Sequence, residues 1–361
     1  MRMTGWTKTD AVVDDACVDG VLRLREWASD RHHELPPPPV AELTVGAADG
    51  CGLRLDDPSG RVSRLHALLV RDDERWRLRD LGSKNGLRLD GARRAEILVE
   101  PGAEIGIGGL TLIAESRRSV ALRRYLARVL GWGSARASAV DHALRSIRLA
   151  VARRAPLILC GDGDLVPMAH SLHRHALGAE RPFVLCDPGR AEGPATVRAV
   201  GNVEDGVRAL TAAVGGTLCV RSRRLPADFA AVDQALRDPA VPVVLLVCAP
   251  PSYDCAPFGT APITVPSLRA RADELDRIIE ECADEAVREL GALRGGFADA
   301  DRAWVRAHAA GSLPEIEKAT LRLVALRESR SLTSAAARLG MATVSLSRWI
   351  GRRQLPLAVA P

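Results

Sequence analysis

Between Val21 and about Ile113 the chain alternates apolar and polar residues in short runs: Val21–Trp27, Ala41–Gly46, Leu53–Leu55, His66–Val70, Trp76–Asp80, Arg88–Leu89, Glu104–Ile107 and Leu110–Ala114. A period of two over runs this short, punctuated by Gly, Asp, Pro and Asn, predicts an all-β sandwich. Pro36 to Pro39 form a stiff extended link between the first two strands. At Ser116 the period lengthens. Leu122, Leu126, Val129 and Leu130 share one face of an Arg-rich amphipathic helix predicted over 116–136, which reads as a linker.

Beyond it, predicted helices over 139–153, 166–175, 203–214 and 229–237 alternate with strands over 156–160, 183–186, 217–220 and 243–248. That alternation is the pattern of a parallel sheet covered by helices. From Asp273 only helices follow, over 273–290, 299–309 and 313–330, and then a pair of short ones. The expected fold class is multidomain. It comprises a leader (1–19), an all-β sandwich (20–115), the linker helix (116–137), an α/β domain (138–264), a helical lid (265–328) and an all-α C-terminal region (329–361).

Length and composition agree with this division, since 361 residues suffice for two or three domains of about 100–200 residues each. The N-terminus carries Asp10, Asp14 and Asp15 and no apolar signal core, and the longest apolar run, around Val241 to Pro251, falls far short of a membrane span. A soluble, cytoplasmic protein with no membrane partner is expected. Eight cysteines occur without metal-binding spacing, which argues against zinc and against structural disulfides. Cys160, Cys186, Cys219 and Cys248 each end or nearly end an apolar strand and read as small buried hydrophobes rather than a thiol cluster. The net charge of +5 is concentrated at one end: residues 321–361 hold seven arginines and one glutamate. A basic tail on a nearly neutral body suggests binding to nucleic acid.

The most specific phrases are Val62-Ser63-Arg64-Leu65-His66-Ala67, then Asp80-Leu81-Gly82-Ser83-Lys84-Asn85-Gly86, then the run from Leu98 through Pro101-Gly102-Ala103-Glu104-Ile105-Gly106-Ile107-Gly108. In content and order they resemble a forkhead-associated (FHA) domain. The resemblance implies loops that hold a phosphothreonine peptide, because clustered cations and hydroxyl donors suit a dianionic phosphate. Ser63 would donate to the phosphate with Arg64 beside it, Asn85 would grip the peptide backbone, and His66 with Gly86 would hold the loops in shape. Gly46 matches the glycine of the family's Gly-Arg pair, but Ala47 stands where its main phosphate-binding arginine belongs. Losing that guanidinium removes about 1.5–3 kcal/mol per charge-assisted bond, unless Arg54 or Arg61 swings in. A packing module, or one that binds a protein constitutively, is the alternative.

The central region resembles the ATPase module of sigma-54 activators, of the AAA+ class, through Cys160-Gly161-Asp162-Gly163-Asp164-Leu165, Leu172-His173-Arg174, Arg181-Pro182-Phe183-Val184, Gly215-Gly216-Thr217-Leu218, Leu225-Pro226 and Val265-Pro266-Ser267-Leu268-Arg269-Ala270-Arg271. A phosphate-binding loop needs Gly-x-x-x-x-Gly-Lys-Ser/Thr. Here Gly161, Gly163 and Asp164 stand in a loop that has Pro167 and Met168 in place of lysine and hydroxyl. The strand that should end in Asp-Glu runs instead into Arg221-Ser222-Arg223-Arg224, the loop such activators press on the sigma factor is missing, and Pro314 replaces the lid's sensor arginine. A pseudo-ATPase without cofactor or metal is expected, its arginine loop reading as solvated rather than anion-binding.

At the C-terminus, Thr333 to Met341 followed by Thr343 to Ile350 has helix-turn-helix spacing and resembles the Fis-type unit that ends such activators. Ala336 would permit close crossing, Gly340 would make the turn, and Leu339, Leu346 and Ile350 would fill the core. Thr343, Ser345, Ser347 and Arg348 would enter the major groove while Arg352 and Arg353 meet phosphates. The whole reads as a regulator with two expected partners, a phosphorylated protein such as a Ser/Thr kinase or its substrate, and DNA. The middle would be a scaffold or a surface for homo-oligomer formation. An active ATP-driven sigma-54 activator, and an FHA adaptor without DNA binding, are the competing readings.

Overall fold

The computed structural model describes residues 20–153, 155–193, 200–292, 296–353 and 355; the expected leader at 1–19 lies outside them. The chain divides into two compact units, Met1–Ala121 and Leu122–Pro361.

The first unit contains β1 (Val21–Glu26), β2 (His32–Glu34), β3 (Glu42–Gly46), β4 (Leu53–Arg54), β5 (Ala67–Asp72), β6 (Arg75–Asp80), β7 (Leu87–Leu89), β8 (Ala92–Arg94), β9 (Glu96–Val99), β10 (Glu104–Ile107) and β11 (Leu110–Ser116). They form a six-stranded sheet, β2-β1-β11-β10-β7-β8, and a five-stranded one, β4-β3-β5-β6-β9. Alternation places the core. In β6, Trp76 and Leu78 are buried while Arg75, Arg77 and Arg79 are exposed, and the inward set joins Leu24, Val45, Leu69, Ile105 and Leu112. Three strands exceed the expectation. β2 and β8 are polar edge strands recruited by backbone pairing, and β9 buries Ile97 and Val99.

One ion pair is sealed inside this unit. Glu115 on β11 accepts from Arg25 Nε at 2.6 Å and from Arg23 Nε at 2.8 Å, both on β1. Arg25 also donates to the carbonyls of Glu26 and Ser29, so its charge is hydrogen-bonded as burial requires.

The linker helix is shorter than expected: α1 (Arg117–Leu130) stops where Gly131 and Gly133 take φ values of +116° and +87°. The chain restarts as α2 (Ser134–Arg153). There follow β12 (Leu157–Cys160), α3 (Val166–Leu177), β13 (Phe183–Cys186), α4 (Gly206–Ala212), β14 (Thr217–Arg221), α5 (Phe229–Leu236), β15 (Val244–Ala249) and β16 (Ile263–Thr264). The sheet runs β13-β14-β15-β12-β16 with every pair parallel. Its central strands are apolar throughout because both faces are covered: Leu157 and Leu159 join one core layer, Ile158 and Cys160 the other. The remaining helices are α6 (Leu275–Glu289), α7 (Asp299–His308), α8 (Leu313–Arg327), α9 (Leu332–Arg338) and α10 (Thr343–Gly351). Among the described residues no helix is long and apolar enough to cross a membrane.

The helical layer encloses Arg128, whose Nη1 meets Glu285 and whose Nη2 lies 3.2 Å from Glu317. Burial raises the Glu317 carboxyl to about 7 against the pull of Arg128, with Glu285 and Glu289 pushing the same way as burial.

Two predictions follow from these buried charges. Glu115→Ala strands Arg25 and is expected to lower the unfolding free energy of the sandwich by about 3–5 kcal/mol in chemical denaturation. For Glu317 the folded carboxyl binds a proton that the unfolded one, at its ordinary 4.5, has released. Its contribution is therefore present below pH 4.5 and lost as pH rises toward about 7. Melting temperatures across that window should fall less in Glu317→Gln than in the wild type.

Candidate functional site

The loops after β3, between β4 and β5, and between β6 and β7 converge at one end of the sandwich. Gly46 ends β3 so close to the next loop that a Cβ would strike the Arg64 carbonyl. That approach lets Ala47 N–H donate to Ser63 O at 3.0 Å and Ala48 N–H to Arg64 O at 3.1 Å. Asp57 gathers the β4–β5 loop by accepting from the N–H groups of Ser59, Arg61, Val62 and Gly109. Burial is the largest single influence and opposes its charge, but the Ser59 hydroxyl and the N–H groups of Ser59, Gly109 and Arg61 together outweigh it and lower the pKa to about 2.

His66, fully buried, joins this loop to the next. Its Nδ1 accepts the Ser63 N–H at 3.0 Å, which makes Nε2 the protonated nitrogen of a neutral ring, and Nε2 lies 3.3 Å from Gly86 O. Gly86 takes φ +68°, and its N–H donates to Ser83 Oγ at 2.9 Å while that hydroxyl donates to Asp80 at 2.6 Å. The Ser63 hydroxyl accepts from Lys84 N–H at 3.2 Å, which leaves its own hydrogen free to donate. Asn85 Nδ2 donates to Arg61 O at 2.7 Å.

The structure thus brings Ser63, Arg64, Arg61 and Asn85 together around the His66 and Gly86 scaffold. Arg54 is less available, its guanidinium lying 2.9 Å from Asp49. Two cations escaped the motif reading. Lys84 springs from the backbone that caps Ser63, and Arg93 lies against Gly86. The chain holds three lysines, at 8, 84 and 318, among 50 Lys and Arg residues; a lysine inside the Ser-x-Asn-Gly phrase was the available signal. Among the described residues Arg61, Arg64, Lys84 and Arg93 make no ion pair. Leu65 and Leu81 flank the cluster, exposed at 56% and 46%.

In the second unit a cavity of about 470 Å³ opens at the carboxyl ends of β12, β14 and β15, lined by Gly161, Asp162 and Gly163 on one side and Pro250, Pro251 and Ser252 on another. This is the end at which open α/β sheets take ligands. Asp164 Oδ1 accepts the Val166 N–H at 3.1 Å in the first turn of α3 and Arg221 Nη2 at 2.9 Å. Arg221 Nε lies 2.9 Å from buried Asp187, with Arg224 3.5 Å from the same carboxylate. The loop 221–224 is therefore not a solvated cluster as expected: Arg223 is, but Arg221 is drawn inside. Burial disfavours its charge, and Asp164 and Asp187 more than offset that, so its pKa rises.

At the C-terminus Ser331 Oγ caps α9 by accepting the Ser334 N–H, and Gly340, at φ +58°, ends it with Met341 N–H on Ala336 O and its own N–H on Ala337 O. Ala336, Leu339 and Leu346 are buried as expected. Trp349, rather than Ile350, completes the core, edge-on to Trp304, while Ile350 is only partly buried. Ser345, Ser347, Arg348 and Arg352 are exposed and Thr343 half-buried. Arg353 is exposed but turns back over Trp349, its Nη1 donating to Trp349 O. Val344, absent from the sequence reading, is the exposed apolar residue of α10 at 60%.

The FHA domain family model matches residues 43–108, and these residues form an FHA domain. Among solved structures the chain is similar to Mycobacterium tuberculosis EmbR in complex with a low-affinity phosphopeptide, at 26% identity and TM-score 0.24, over 27% of this chain and 24% of that one. It is also similar to the FhaA FHA domain complexed with the intracellular domain of Rv3910, at 27% identity and TM-score 0.23, over 25% of this chain and 96% of that one. For the first FHA domain of M. tuberculosis Rv1747 the figures are 30%, 0.22, 27% and 96%. No curated protein matches the sequence.

Gly46→Ala adds one carbon where the backbone of the next loop already lies. Denaturant midpoints should show a loss of about 1–3 kcal/mol in the sandwich transition.

Proposed function

We propose that this protein, with its FHA domain at residues 43–108, is a signalling regulator that binds a phosphothreonine-containing protein through the FHA loops and DNA through α9 and α10. The observation that carries the first half is the Ser63 hydroxyl, free to donate and set among the unpaired cations Arg61, Arg64 and Lys84. A dianionic phosphate satisfies several such donors at once, whereas a serine or threonine hydroxyl satisfies one. With Ala47 in the place of an arginine, Lys84 is the cation best placed to take over its charge. The exposed leucines Leu65 and Leu81 would meet apolar residues of the partner.

The second half rests on the exposed face of α10. Val344, Ser345 and Arg348 on α10 and Arg352 at its C-terminal cap present an apolar group, a hydroxyl and two guanidinium groups, a set that suits thymine methyls, base edges and phosphates. The α/β domain would take no part in ATP chemistry. Asp164 already occupies the position that a nucleotide phosphate would need at the start of α3, and no lysine stands between Lys84 and Lys318.

Peptide titrations test the phosphate site. A phosphothreonine peptide should bind and its unphosphorylated twin should not, and Lys84→Ala or Arg64→Ala should each weaken binding about 10-fold or more; equal affinity for the two peptides sinks the reading. For DNA, fragments selected from a genome by the full-length chain should share one motif. Changing both Arg348 and Arg352 to Ala should lower the slope of log affinity against log salt by about 2, and an unchanged slope rules out α10 as the contact.

A further inference from the structure

Cysteine 160 and cysteine 255 are 95 residues apart in sequence, yet their Sγ atoms lie 3.6 Å apart. A second pair, Cys219 and Cys248, lies 3.8 Å apart on neighbouring strands β14 and β15. The other described cysteines, Cys51, Cys186 and Cys282, have no sulfur partner among the described residues. The two close pairs differ in what they can do. Cys219 is fully buried and Cys248 reaches only the cavity at the end of the sheet, and both are held in a parallel ladder that leaves neither strand free to close the gap. Cys160 also ends a ladder strand, paired to β15 and β16. Cys255, in contrast, is partly exposed and belongs to the turn that precedes the short helical segment Ala256–Phe258. A disulfide needs its sulfurs about 2 Å apart, and the turn carrying Cys255 is the side free to close that gap.

We propose that Cys160 and Cys255 are an oxidisable dithiol that forms a reversible disulfide when the protein meets hydrogen peroxide or a related hydroperoxide. The partly exposed Cys255 reacts first: its thiolate attacks one peroxide oxygen, the O–O bond breaks, a sulfenic acid forms, and the departing hydroxide takes up the proton that the Cys255 thiol had released and leaves as water. Cys160 then attacks that sulfur, the S–O bond breaks, and the departing hydroxide takes the Cys160 proton, so that two thiols and one peroxide give one disulfide and two waters. Burial, reinforced by the neighbouring thiols Cys255 and Cys248, holds the Cys160 thiol up at about 12, which suits it to be the second sulfur and not the first. The bond would have a definite structural effect. Cys160 is followed directly by Gly161, Asp162 and Gly163, and the chain leading to Cys255 passes through Pro250, Pro251 and Ser252; both groups line the cavity above the sheet. Oxidation would tie two walls of that cavity together.

The test uses the reduced full-length chain, treated with hydrogen peroxide, blocked with an alkylating reagent and digested without reductant. The expected result is loss of two of the eight thiols, a peptide pair joining Cys160 to the segment that holds Cys248 and Cys255, and reversal by dithiothreitol. The cross-link should persist in Cys248→Ser and vanish in Cys255→Ser, a near-isosteric change at a partly exposed position; slower proteolysis of the 250–258 segment in the oxidised wild type gives a second readout. Free thiols after treatment, Cys255 collected as sulfinic acid without a cross-link, or a cross-link that survives Cys255→Ser would each overturn the proposal.

Discussion

The FHA loops depend on one imidazole. With Nδ1 committed to the Ser63 N–H and Nε2 facing the Gly86 carbonyl, the His66 ring must be neutral and must carry its proton on Nε2. A second proton would set two N–H groups against each other at Ser63 and release the loop. This ring fixes where the Ser63 hydroxyl, the Arg64 side chain and the Lys84 backbone start from, and it does so from a fully buried position that no ligand needs to touch. The residue at 47 holds the frame through its N–H, on Ser63 O, and its methyl packs at the edge of the core. An alanine there removes a charge without disturbing the loops. That is why the scaffold is intact in a chain with alanine at 47.

A second set of compensating charges lies in the α/β domain. A phosphate-binding loop would place a cation at the start of α3 and carboxylates at the end of β14; this chain has Asp164 at the first and Arg221 at the second, 2.9 Å apart. From the sequence these were two separate losses. In the structure they are one compensated pair, closed by the buried Asp187. Restoring the lysine alone would bring a second cation beside Arg221, and restoring the carboxylates alone would set them against Asp164 and Asp187. Either single change would leave an unpaired buried charge of the kind that costs several kcal/mol.

Alternation and motif order made most of the sandwich legible, and the misses have physical causes. β2 and β8, His-His-Glu and Ala-Arg-Arg, are edge strands without an apolar face, held by ladder bonds that leave no trace in hydropathy. The predicted linker helix ran through Gly131 to 136, whereas Gly131 and Gly133, both at positive φ, end it at Leu130. At the site, the motif supplied Ser63, Arg64, His66, Asn85 and Gly86. It could not show that Asp49 occupies Arg54, a contact that exists only once β3 and β4 lie side by side. The cysteines were read correctly as buried, and their pairing could not be, because β15 and the turn after it bring together residues that sequence spacing keeps far apart.

The packing of the C-terminal hairpin constrains how it could respond to anything. Ala335, Ala336, Leu339, Leu346 and Trp349 belong to the same apolar cluster as Leu157, Leu159, Ile278 and Leu323, so α9 and α10 extend the core of the helical layer and the sheet. Trp349 carries Arg322 on its face at 5.0 Å and Trp304 at its edge, and Arg338 reaches the carbonyl of Leu290. A hairpin held this way does not reorient alone, because its short helices have too little of their own buried surface to stand without the layer beneath. What the hairpin presents therefore changes only if the layer itself shifts or if more than one copy of the chain presents it. Of these, the second leaves the core packing untouched and is the less costly.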